Sequence, residues 1–225
     1  MLCFVFMLLS CNAATLKVLV PTETAIGFPH FGIVPLDQFD EIITAPLSAS
    51  DAVSGADAYW VILIAGGGAT APFYTNDELN SLSSILSSSA PAVIFFEWLA
   101  WRNSSQQLAG LLGSTYLESG LPAEAAPQGD SLLVRDISTP LLFSTPGGLS
   151  GAVTPVFGDV VTLAGPNQNV ALIGDTTTFT SFNPSNRQFA ENLGDFLAIP
   201  EPTTISLLLV ALSCLSLARQ RRETN

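Results

Sequence analysis

The stretch "AYWVILIAGGG", residues 58–68, decides the fold. It is a continuous apolar run that stops at three glycines. A strand with one wet face alternates apolar and polar side chains. This run does not alternate, so it reads as a strand buried on both faces. "PAVIFFEW" (91–98) is a second run of the same kind. "TLKVLVP" (15–21) and "NVALIGD" (169–175) are short apolar strands, and "DEIITAP" (40–46) and "DVVTLAG" (159–165) add two more. A tight turn at Pro166-Asn167 joins 159–165 to 169–175.

Helical periodicity fills the gaps. "NDELNSLSSILSSS" (76–89) places Leu79, Leu82, Ile85 and Leu86 on one face. Asn76 reads as its N-cap, with Asp77 and Glu78 complementing the helix dipole. "NSSQQLAGLLG" (103–113) is a shorter helix closed by Gly113. In "NPSNRQFAENLGDFLA" (183–198), Asn183 caps and Pro184 suits the first helical position. Phe189, Leu193, Phe196 and Leu197 line its apolar face. Buried strands alternating with amphipathic helices predict an α/β domain over 15–199: three layers, with a mainly parallel sheet flanked by helices. Residues 114–158 are rich in Gly, Pro and Ser, with short apolar pieces such as "SLLV" and "PLLF", and read as a loop-rich insertion.

Charge restricts the partners. The chain has 225 residues, 48% of them hydrophobic and 12% charged, which suits a packed core rather than a disordered chain. Between Thr15 and Ile199 only Lys17, Arg102, Arg135 and Arg187 are basic against 17 acids, leaving that span at −13. Such a surface repels nucleic acid and anionic lipid, so no nucleic-acid partner is expected. Cys3, Cys11 and Cys214 lie in the apolar ends, so the body has no disulfide, thiolate metal site or cysteine nucleophile. No metal and no cofactor are expected.

The two ends read as addresses. "MLCFVFMLLSCNAAT" (1–15) carries an apolar run followed by small residues, the pattern of a secretory signal peptide over 1–14, although the basic n-region is missing. Ser10-Cys11 leaves a lipoprotein reading open. At the other end, residues 203–218 are uncharged and largely apolar. Counted from Pro202, the run would span roughly 25 Å as a helix, just enough for a bilayer core. Arg219, Arg221 and Arg222 follow and would hold the tail in the cytoplasm with the body outside. Pro200-Glu201-Pro202, an apolar helix and an arginine cluster in that order resemble a PEP-CTERM sorting signal over 200–225. The resemblance implies recognition and removal by an exosortase-type membrane enzyme after passage through the secretion machinery. It also implies association with the cell surface, the extracellular matrix and exopolysaccharide.

The body's order of elements resembles the class I glutamine amidotransferase-like group, a flavodoxin-like architecture. The resemblance rests on strand 58–65 with its glycine loop and helix, strand 92–96 with its helix, and "VALIGDTTTFTSFNPSNRQFAENLGDFLA". Catalytic members need a cysteine at the strand-to-helix turn and a histidine-acid pair. Here that turn holds Glu97 and Trp98, and the only histidine is His30 in "GFPHFG", so glutaminase activity is not implied. No catalytic residue is assigned.

In open α/β sheets ligands bind beyond the carboxyl ends of the strands. Gly66, Gly67, Gly68, Glu97, Trp98 and Asp175 fall there. The glycine loop's N–H groups could hold an anion, with Glu97 as a base and Asp175 orienting it or binding a cation. Equally, the glycines make a tight strand exit while Glu97 and Asp175 cap helices or bind loop amides. "GGGATA" (66–71) fits a dinucleotide pattern formally, but Pro72-Phe73-Tyr74 intervene before the helix. There is no G-x-S-x-G, P-loop or HExxH. Two functions stand: a surface protein whose body is a non-catalytic binding or scaffold domain, and a small-molecule hydrolase using Glu97 and Asp175 beside the glycine loop.

Overall fold

The computed structural model describes residues 14–21, 33–62, 73–96, 102–118, 121–144, 146–179 and 183–198. In chain order the strands are β1 (Thr15–Val20), β2 (Glu41–Pro46), β3 (Ala58–Val61) and β4 (Ala92–Phe95), with helix α1 (Asn76–Ser87) between the last two. Helix α2 (Arg102–Leu112) follows. Then come β5 (Thr115–Leu117), β6 (Glu124–Ala125), β7 (Leu141–Leu142), β8 (Gly148–Ser150), β9 (Thr154–Phe157), β10 (Val161–Ala164), β11 (Val170–Ile173) and helix α3 (Pro184–Leu197). The expected continuation of β3 to residue 65 lies outside the described residues.

Seven strands form the main sheet in the order β2-β1-β3-β4-β11-β10-β9. The first five are mutually parallel. β10 and β9 are antiparallel additions. The strands at 15–20, 58–61, 92–95 and 170–173 are therefore parallel neighbours, as their lack of a polar face demands. Alternate residues of one strand enter different cores. Trp60, Val93, Phe95, Ala171 and Ile173 join the cluster under α3. Tyr59, Val61, Ala92, Ile94, Val170 and Leu172 join the one under α1 and α2.

Lys17 is the exception within β1. It is buried, and its ammonium donates to the Asp51 carbonyl at 2.7 Å, so the apolar stem stays in the layer while the charge finds an acceptor.

The helix ends follow local chemistry. Thr75, not Asn76, caps α1. Its hydroxyl oxygen accepts from the Glu78 N–H at 3.3 Å, and the Glu78 carboxylate accepts from the Thr75 N–H at 2.8 Å. This capping box satisfies two groups that a cap at Asn76 would leave open. Gly113 ends α2 at φ 66°. The Ser114 N–H reaches the Ala109 carbonyl and the Gly113 N–H reaches Gly110, a Schellman closure. Asn183 caps α3 through the Ser185 N–H, with Pro184 at the first turn.

α3 holds most of what crosses the second face. Phe189, Leu193, Phe196 and Leu197 are buried as its periodicity predicts. Ring contacts run from Trp60 to Phe95, Phe179, Phe189 and Phe157, with centroids 5.1 to 6.0 Å apart. Gly194 lies in the last turn of α3, and glycine within a helix costs up to about 1 kcal/mol against alanine. A Cβ there would sit 2.5 Å from the Pro35 carbonyl oxygen, and the Gln38 amide donates to the Gly194 carbonyl. The close approach of the 33–39 segment is the reason for glycine.

The segment read as a loop-rich insertion is built from short ladders, β5 with β8 and β6 with β7. Its last strand, β9, joins the main sheet beside β10. α3 grips the rest through two buried asparagines. Asn186 accepts from the Leu142 N–H and donates to the carbonyls of Leu142 and Thr178. Asn192 donates to the carbonyls of Leu133 and Arg135.

The sheet also buries a hydroxyl. The Thr162 hydroxyl on β10 is fully buried and has no hydrogen-bond partner among the described residues. Valine has the same shape without the hydroxyl, and a buried unpaired polar group is costly. We expect Thr162→Val to raise stability by about 1 kcal/mol, read as a higher urea midpoint at unchanged m-value.

Candidate functional site

Parallel strands in register end on one edge. Leu19 pairs with Val61, Val61 with Ile94, and Phe95 with Ile173. The residues that follow β1, β3, β4 and β11 therefore leave from the same side of the sheet. Of the residues expected there, Gly66, Gly67, Gly68, Glu97 and Trp98 lie outside the described residues, as does His30. β4 is followed to Phe96, whose N–H donates to the Ile173 carbonyl at 2.9 Å.

Asp175 is described, and it faces inward. It follows β11 and is fully buried. One carboxylate oxygen accepts from the Ser144 N–H at 2.6 Å. The other accepts from the Thr177 N–H at 2.7 Å and the Thr177 hydroxyl at 2.5 Å. Its carbonyl accepts from the Thr178 hydroxyl at 2.7 Å. Both carboxylate oxygens thus have neutral donors, and those donors belong to the loop that crosses the end of β11 and to the 3-10 turn Thr176–Phe179.

The crossing is close. The Gly147 N–H donates to the Gly174 carbonyl at 2.8 Å, and a Cβ on Gly174 would lie 2.1 Å from the Gly147 carbonyl oxygen. Only glycine at 174 lets the two backbones meet. Ser144 and the chain at 146–149 thereby strap over the carboxyl end of β11, with Asp175 as the buckle.

A second polar group sits at the start of α1, which also begins on the carboxyl edge. Gln107 of α2 accepts from the Tyr74 N–H at 2.7 Å and donates to the Tyr74 carbonyl at 3.2 Å, so one side chain completes the backbone bonding of the residue before the cap. Tyr74 is buried. Burial, and after it the Glu78 carboxylate, push its phenol above the ordinary tyrosine range, so it stays protonated at neutral pH. The sequence carried a signal for this arrangement: Thr75 three residues before Glu78 is the capping-box spacing. Among the described residues no group of histidine, cysteine, aspartate and glutamate is placed to hold a metal ion.

No family model and no curated protein matches the chain. Solved structures do. A Thermoplasma acidophilum protein described as one of the subunits of a GMP synthase superposes with a TM-score of 0.53 at 11% identity, over 83% of this chain and 95% of that one. The exo-β-1,4-mannosidase Op5Man5 from Opitutaceae bacterium strain TAV5 gives a TM-score of 0.48 at 12% identity, over 84% of this chain and 36% of its own. The first likeness is one of fold. The body shares with that structure an α/β fold, with a mostly parallel central sheet flanked by helices.

The hydrogen bonds to Asp175 make it a stability determinant. Asp175→Ala removes the carboxylate that the Ser144 N–H and the Thr177 N–H and hydroxyl share, leaving Ser144 its longer bond to the Thr177 hydroxyl, and we expect a loss of about 2 kcal/mol. Asp175→Asn, which keeps one acceptor oxygen, should fall between wild type and alanine. Urea unfolding of the three proteins measures it. Wild-type stability in the alanine variant would contradict the strap.

Proposed function

We propose that the chain is an exported bacterial surface protein sorted by an exosortase-type enzyme, and that its body is a non-catalytic binding or scaffold domain in an exopolysaccharide-containing matrix. The observation that carries the reading is the ordered composite of Pro200-Glu201-Pro202, the uncharged run 203–218, and Arg219, Arg221 and Arg222, paired with an apolar N-terminal segment. These terminal segments lie outside the described residues. No helix among the described residues is long and apolar enough to cross a membrane; in this reading the anchor is the uncharged run 203–218. Before processing, that segment anchors the chain with the body outside the cytoplasm. After processing, the body belongs to the cell surface or the matrix.

The non-catalytic part of the reading draws on Asp175. A carboxylate whose two oxygens accept from Ser144 and Thr177, and which has no exposed surface, is poorly placed to take a proton or a cation from a substrate. A hydrolase using Glu97 and Asp175 beside Gly66–Gly68 would need that carboxylate released from the strap.

Processing tests the sorting reading. In a host that makes the sorting enzyme, mass spectrometry of the extracellular protein should find no peptide from the region after about Pro202. An intact "RQRRETN" terminus on the mature extracellular protein would overturn it.

A further inference from the structure

Both ends of the body leave the fold at the same edge of the sheet. α3 starts beside the carboxyl edge, where Asn186 donates to the Thr178 carbonyl just beyond β11. It then runs back against the strands for 14 residues, roughly 21 Å. Its last turn meets the 33–40 segment: Gly194 lies against Pro35, and Gln38 donates to the Gly194 carbonyl. That segment leads into the amino end of β2. There the Asp40 N–H donates to the Ala14 carbonyl, and the Asp40 carboxylate accepts from the Ala14 N–H. The Asp57 carboxylate accepts from the Thr15 N–H at 2.7 Å. Residues 14 and 198 therefore both stand at the amino edge.

The link between α3 and the apolar run is short. Four residues, Ile199 to Pro202, separate Ala198 from the apolar run. Fully extended, the link from Ala198 to Thr203 reaches at most about 18 Å. Leu197 is still packed in the core, so the tether gains no length unless α3 unwinds. Resting on the sorting-signal reading above, we infer that the anchored precursor holds the amino edge of the sheet toward the lipid surface and presents the carboxyl edge outward. The surface that the amino edge faces is the bilayer, and the tether keeps the body close to it without seating it there. The rim of this edge includes the exposed acids Asp37, Asp40, Glu41 and Asp57, and Asp195, which is ion-paired with Arg135. Anionic headgroups repel them, so the body stands off the surface rather than lying on it, and the Pro-Glu-Pro segment spans the gap. The strap over β11 and the start of α1 then point into the medium on the precursor, before any cleavage.

The test uses the full precursor made in a host with signal peptidase but no sorting enzyme. Cys3, Cys11 and Cys214 are replaced by alanine. One variant carries Asp37→Cys at the amino edge, and another carries Phe73→Cys, exposed beside the start of α1. Each is labelled with a fluorophore and reconstituted into phosphatidylcholine vesicles bearing a nitroxide on the headgroup. We expect retention by the vesicles, with quenching several-fold stronger at residue 37 than at residue 73. Retention with equal quenching, or with stronger quenching at residue 73, overturns the orientation and leaves the sorting reading standing. A precursor that the vesicles do not retain overturns the anchor and the orientation together.

Discussion

A strand whose successive side chains are all apolar has no face to offer water, and three neighbouring strands here are of that kind. β3, β4 and β11 contain no polar residue other than the buried Tyr59, so both faces of the central sheet must be roofed. The sheet is seven strands wide, roughly 29 Å at the usual inter-strand spacing. One helix is about 10 Å across. On one face α1 and α2 share the work, with Leu47 and Ala52 from the β2–β3 connection closing the margin. Among the described residues α3 is the one α-helix on the other face. The remaining width is covered by Val34, Leu36 and Phe39 on one side of it and by Leu133, Ile137, Leu141 and Phe143 on the other. The segment after α2 is therefore part of the roof.

That roof is made of short pieces, and short pieces need external fixing. A two-residue ladder such as β6 with β7 cannot hold itself in water. Asn186 and Asn192 of α3 supply backbone partners to Leu142, Leu133 and Arg135, while Asp175 ties down the Ser144 N–H. Each of these polar side chains is buried with its hydrogen bonds made, the condition under which burial is tolerable. The same fixing closes the β11 end of the carboxyl edge. It makes Asp175 a structural carboxylate in a position where related architectures place ligand-binding groups.

The central strands and the three helices were legible because burial imposes a period on the residues themselves. Leu82 and Ile85, or Phe189 and Leu193, point to one face whatever the rest of the chain does. Asn183 with Pro184 and Gly113 marked their helix ends for equally local reasons. The cap at Thr75 was just as local, but Asn76 and its acidic neighbours offered a competing pattern. Long-range partners left no such trace. Nothing near Asp175 in sequence announces Ser144, 31 residues away. Asn186 and Asn192 look like the wet side of a helix until the segment they hold is in place. The strand at 154–157 is hidden by Pro155 and by the turn-rich residues before it, and edge strands tolerate proline. Of the candidate site, the shared edge followed from the parallel strands alone. The role of Asp175 depended on a loop that periodicity cannot place.

Under the proposed reading the body is carried outward and tethered through the run 203–218. α3 is the main described cover of one face and the last described element before that run, so on that proposal the fold's stability and its attachment meet in one helix. If two-sided burial is the organising constraint, the central strands can open only together. Native-state hydrogen exchange tests this most directly. We expect amides in 16–19, 59–61, 93–95 and 171–173 to exchange with one common free energy, equal to that of global unfolding, and those of β5 to β8 to exchange through smaller openings. Independent exchange of β11 from β3 and β4, or protection in β6 and β7 equal to the central strands, would contradict it.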